Sequence, residues 1–196
     1  MGDSMSSVIL TGDTSGTLNL AAPLVAGTNT QTLVAATGTL APLISGTAVS
    51  ATGTSVNFTD IPSWVKRITV MFKGVSTNST SNWLIRVGTS SGIATSGYLG
   101  AGSYNGASNS GANNTTGFIF NVAGAPQFMH GSMIITLQDQ STNSWVQQAI
   151  LGDSSQAYTF LSGGSVTLSG TLDRVRITTV NGTDVFDAGS INILYE

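Results

Sequence analysis

The chain has 196 residues, of which 8% are charged, with a net charge of −3 and no cysteine. Disulfides, thiolate metal sites and cysteine nucleophiles are therefore excluded, and the negative balance argues against a nucleic-acid surface, which needs a net positive face. A 40% hydrophobic share and a mean hydropathy of +0.23 predict a chain that folds, kept soluble by Thr, Ser and Asn where ordinary domains use about 25% charged residues.

Residues 1–50 carry no aromatic residue and, after Asp13, no charge. The start has Asp3 and no Lys or Arg, so no secretory signal is expected. No apolar run is long enough to predict a membrane-spanning helix. Synthesis in the cytoplasm and release inside an assembled particle would fit. Short apolar pieces, VIL at 8–10, TLNL at 17–20, QTLV at 31–34 and PLI at 42–44, alternate with the turn triplets SGT, AGT, TGT and SGT. Each piece is too small to build a core alone. The segment reads either as an attachment and trimerisation arm that pairs within or between subunits, or as a flexible Ala/Thr/Gly linker.

From residue 51 to 196 the pattern becomes period-2, the mark of strands. In RITVMFK (67–73), Ile68, Val70 and Phe72 share one face. In NWLIRVG (82–88), Trp83, Ile85 and Val87 do so. In SMIITLQ (132–138) the set is Met133, Ile135 and Leu137, and in DRVRITTV (173–180) it is Val175, Ile177 and Thr179. The ending places Ile191, Ile193 and Tyr195 together. Weaker strands are expected at 54–58, 117–122, 145–150, 157–161 and 165–169. After Pro62 one helical turn at most is expected. The sum predicts an all-β, antiparallel, jelly-roll-like β-sandwich over 51–196 with an extended N-terminal β/arm segment over 1–50. The Gly/Ser/Asn-rich stretch 88–117 reads as a long loop, the usual place for function.

Catalytic constellations are thin. The one histidine, His130, lies beside a strand, and no serine sits in a nucleophile-elbow pattern. Glycosidase chemistry needs paired carboxylates, whereas the single Glu is Glu196 and the Asp residues fall mostly in turn contexts. No catalytic residue, cofactor or metal is assigned. In NGTDVFDAG (181–189), Asn181, Asp184 and Asp187 offer oxygen ligands, but the spacing reads as a hairpin loop. For glycan stacking and hydrogen bonding the candidates are Tyr98, Tyr104, Asn105 and Trp145. Trp83 reads as core, and Trp64 as a plug at one end.

The run FTDIPSWVKRITVMFKGVSTNSTSNWLIRVG (58–88) and the ending SGTLDRVRITTVNGTDVFDAGSINILYE (169–196) resemble a module of tail-fibre and other virion proteins of tailed bacteriophages. The opening SVILTGDTSGTLNLAAPLVAGTNTQTLVAATGTLAP (7–42) is similar to sequence that precedes such modules. The resemblance implies a β-rich, homotrimeric fibre or spike subunit. Its N-terminal arm would dock on other virion proteins, and its C-terminal part would face outward. A tail fibre that attaches to a bacterial surface glycan is then the first expectation, a capsid-decorating head fibre the alternative and a polysaccharide depolymerase a weaker one, with no nucleic-acid or membrane partner expected.

Overall fold

A computed structural model describes residues 7–11, 17–21, 42–122 and 124–196. The chain forms two compact units, Met1–Thr39 and Leu40–Glu196. In the first, β1 (Ser7–Thr11) and β2 (Thr17–Ala21) pair antiparallel, from Ser7 opposite Ala21 to Thr11 opposite Thr17. These are the VIL and TLNL pieces, while QTLV at 31–34 lies outside the described residues. A lone two-stranded hairpin is marginal in water, so this pair gains most from further partners.

The second unit contains β3 (Ile44–Ser45), β4 (Val49–Ser50), β5 (Ser55–Phe58), β6 (Arg67–Thr77), β7 (Trp83–Thr89), β8 (Gly92–Ile93) and β9 (Leu99–Asn105). It continues with β10 (Ser110–Asn113), β11 (Phe118–Phe120), β12 (Met129–Asp139), β13 (Ser144–Asp153), β14 (Thr159–Thr167), β15 (Arg174–Thr179) and β16 (Phe186–Tyr195). A nine-stranded sheet runs β10-β9-β14-β13-β12-β6-β16-β3, with β4 also on β16, and a five-stranded sheet runs β11-β7-β15-β5, with β8 on β7. All pairings are antiparallel. The chain passes repeatedly between the two sheets, and the expected β-sandwich is present. At Pro62 there is only a turn, closed by Val65 N–H donating to Pro62 O at 3.1 Å.

The alternating residues face inward as the period-2 pattern requires. Ile68, Val70, Phe72, Met133, Ile135, Val175, Ile177, Ile191 and Ile193 are all buried. The two sheets meet through aromatic rings. Phe72 on β6 lies 6.2 Å from Trp83 on β7 and 6.1 Å from Phe120 on β11. Phe186 on β16 meets Trp83 edge-on at 5.4 Å. Each such side chain contributes roughly 1.5–3 kcal/mol by leaving water, which makes this line of rings the main inter-sheet weld. β7 is buried on both faces, because Leu84 packs beside Ile119 of β11. The Thr116–Gly117 segment lies over it, held by Arg86 Nε donating to Thr116 O at 2.7 Å.

The compact unit begins at Leu40, and Ile44–Ser45 and Val49–Ser50 pair with β16 as β3 and β4. One sequence expectation is corrected. The stretch 88–117 is not a loop: it holds β8, β9 and β10. Gly100 and Gly102 hid β9, because they sit where a side chain would collide. A Cβ on Gly100 would lie 2.7 Å from Gly164 Cα, and one on Gly102 3.1 Å from the Ile119 carbonyl carbon.

Candidate functional site

The second unit has two unlike ends. At the root, where the chain comes in, Ile44 pairs with Tyr195, and Trp64 packs on Tyr195 at 5.9 Å. There the main-chain N–H groups of Lys66 and Arg67 donate to Glu196 O at 2.7 and 2.9 Å, and the Arg67 guanidinium pairs with the Glu196 side chain. Trp64 therefore closes one end, as its position after Pro62 suggested. The opposite end, the tip, carries the β9–β10, β13–β14, β6–β7 and β15–β16 turns. The register fixes this polarity: Tyr195 opposes Ile68 at the root, while Phe186 opposes Thr77 and Thr159 opposes Asn105 at the tip.

Of the four sequence candidates, the structure brings two to the tip. Tyr104 is half-buried, with its ring edge-on to Tyr158 at 5.5 Å and tilted against Phe160 at 6.3 Å. Asn105 is exposed beside it. Tyr158, Ser108 and Asn109 complete the group. The Ser108 and Tyr158 hydroxyls are 3.4 Å apart, and Asn109 Oδ1 accepts the Gly106 N–H at 3.2 Å. On the same rim Gly74 N–H donates to His130 Nδ1 at 3.3 Å. That places the ring proton on Nε2, which donates to Ser154 Oγ at 3.2 Å. His130 is thus a brace between the β6 bulge and the β13–β14 turn. Tyr158 was not among the sequence candidates, although it lies inside the expected strand 157–161. Its value comes from pairing with Tyr104 across two strands, which a linear reading cannot display.

Tyr98 and Trp145 are not available to a ligand, at 0% and 2% exposure. Tyr98 points between the sheets, edge-on to Phe118 at 5.0 Å. Its hydroxyl accepts the Val87 N–H at 2.8 Å, and it lies 3.1 Å from Val87 O and 3.2 Å from Ala94 O as donor. Burial pushes its pKa from 10.0 to about 12, against the lowering effects of the Val87 bond and of Arg86. The phenol is neutral in both states below pH 10. Above that the unfolded chain loses the proton first, so stability falls as pH rises through 10 toward 12, by about 2–3 kcal/mol at the upper limit. Thermal unfolding between pH 9 and 12 should show this loss, and Tyr98→Phe should flatten it. An unchanged slope would contradict the buried position.

The Asn181–Asp184 turn is a hydrogen-bond clamp. Asp184 is buried; Asn181 Nδ2 donates to its Oδ1, and the Ser81 N–H to its Oδ2 at 3.0 Å. Among the described residues no three His, Asp or Glu side chains gather as a metal site would need. The tip offers phenol rings, hydroxyls and amides with little charge, groups suited to a neutral polyhydroxylated ligand. No protein-family profile, no curated protein and no solved structure matches this chain.

Proposed function

We propose that this chain is a structural subunit of a bacteriophage virion, a homotrimeric fibre or spike assembled in the host cytoplasm. Its N-terminal arm docks on other virion proteins, and its tip touches a glycan of the bacterial surface. The observation that carries this reading is the polarity of the sandwich. The chain comes in beside Tyr195, and the Tyr104–Tyr158 group sits at the far end. That is the layout a tethered adhesive module needs. The resemblance of residues 58–88 and 169–196 to tail-fibre modules supports it, as does a surface kept soluble without charge. Single sites of this kind are weak, and three copies would add avidity.

Gold-tagged antibody against residues 51–196, viewed on intact particles, tests the reading. Label at the tail is the expected result. Label spread over the capsid would make the chain a head decoration, and unlabelled particles would count against the virion role itself. Tyr158→Ala should then cut particle adsorption to host cells at least several-fold while leaving assembly intact, since one tip contact of about 1 kcal/mol is multiplied over the copies.

A further inference from the structure

The outer face of the nine-stranded sheet is unlike the rest of the surface. Across β12, β13, β14, β9 and β10 its outward positions carry no Lys, Arg, Asp or Glu. Two apolar ridges cross it. One is Ile150 opposite Leu161, which are 66% and 42% exposed. The other runs from Val146 through Ser165 to Leu99, with Val146 41% and Leu99 69% exposed. Between them lies a trench floored by Gly163 and Ala101, with Gln148 at one end and Asn113 at the other. A groove of about 670 Å³ includes this trench and the Ile150–Leu161 ridge and reaches Ser103 and Gly111 beyond it.

We infer that this face is where a second copy of the chain packs. Soluble proteins rarely leave a contiguous apolar patch uncovered. A partner bearing charge would have to strip that charge of water and find no counter-charge on this face. A second copy brings the same uncharged face, with ridges to fill the trench and amides to meet Gln148 and Asn113. The area is adequate. Five strands at ~4.8 Å and outward positions over about 20 Å of strand give a plan area on the order of 480 Å² per copy. Accessible area exceeds plan area on a ridged surface, so two copies reach the ~1,000 Å² that a specific interface needs. Like meeting like makes this contact two-fold, so it is distinct from the three-fold contact proposed for the N-terminal arm; it stands on the face itself and does not require the virion reading, which the particle labelling tests separately.

The test is the solution mass of the full chain by light scattering over a range of concentrations. Wild type should show an even multiple of 20.0 kDa. Ile150→Lys/Leu161→Lys and, separately, Gly163→Gln should halve that mass, with at least a tenfold rise in dissociation constant of the pair. Gly163→Gln is the safeguard against misfolding, since a Cβ there meets nothing within 4 Å. Val180→Lys, at a 47% exposed position on the β15–β16 turn, should leave the mass unchanged. A wild-type mass of one or of three chains at every concentration overturns the inference. So does a wild-type multimer that keeps its mass in both face variants.

Discussion

Gly102→Ala should lower stability by about 3 kcal/mol or more, the upper range for overpacking a core, whereas Gly163→Ala should be neutral or gain up to about 1 kcal/mol. At ~2–4 °C per kcal/mol for a domain of this size, the first should lower the melting midpoint by roughly 6–12 °C. Both glycines lie on the β9–β14 pair, Gly163 directly opposite Ala101 and Gly102 opposite Ser162. They differ in the face they occupy. A Cβ on Gly102 would strike the Ile119 carbonyl oxygen and sit 3.1 Å from its carbon, whereas one on Gly163 enters open space. The obstacle at Gly102 is backbone of β11, which cannot swing aside as a side chain would. Gly100 and Gly164 sit opposite each other on the same inner face, so β11 approaches a floor without side chains. Equal melting points for the two variants would show that this end of the sandwich is looser than described.

This glycine floor also explains what could be read from the sequence and what could not. RITVMFK and DRVRITTV announce their strands because their inward positions are β-branched or aromatic and their outward ones polar. LGAGSYN and SGAN do not. The inner face of β9 is Gly100, Gly102 and Tyr104 and its outer face Leu99, Ala101, Ser103 and Asn105, while β10 sets Ser110 and Ala112 against Gly111 and Asn113, so the period-2 signal vanishes although the strands are paired at every residue. The same effect misplaced Tyr98, read as a loop tyrosine but buried between the sheets. Tyr104 and Asn105 reach the tip because β9 ends there, which follows from register rather than from composition. The compact unit begins eleven residues before the change in composition at residue 51, because β3 and β4 are only two residues each, set among the same small residues that precede Leu40. Their strand state comes from β16, with Gly46 N–H donating to Ile193 O at 2.8 Å and Asn192 Nδ2 donating to Gly46 O at 3.0 Å.

Asp184→Ala should cost about 2 kcal/mol, because it removes the acceptor of two part-buried donors at roughly 1 kcal/mol each, and chelators should leave wild-type melting unchanged. Both carboxylate oxygens are occupied by protein donors, Asn181 Nδ2 and the Ser81 N–H. Asn181 Oδ1 in turn accepts from Thr179 Oγ1 at 2.9 Å, Thr183 N–H at 3.0 Å and Asp184 N–H at 3.1 Å. The β6–β7 turn is tied to the same group. Asn181 N–H donates to Ser81 Oγ at 3.1 Å, and Val185 N–H to Asn78 Oδ1 at 2.9 Å. One buried acid thus joins the two turns that cross between the sheets at the tip, residues 78–82 from β6 to β7 and 180–185 from β15 to β16. Asp184→Asn should recover part of the loss, since its remaining oxygen can still accept the Ser81 N–H while its amide opposes another donor. A calcium ion would need those same oxygens. If added Ca²⁺ raised the wild-type melting point and Asp184→Asn abolished the rise, the turn would be a cation site and the clamp description would fail. An unchanged melting point with Ca²⁺ or chelator, together with the loss in Asp184→Ala, would fix its role as holding the tip of one sheet against the tip of the other.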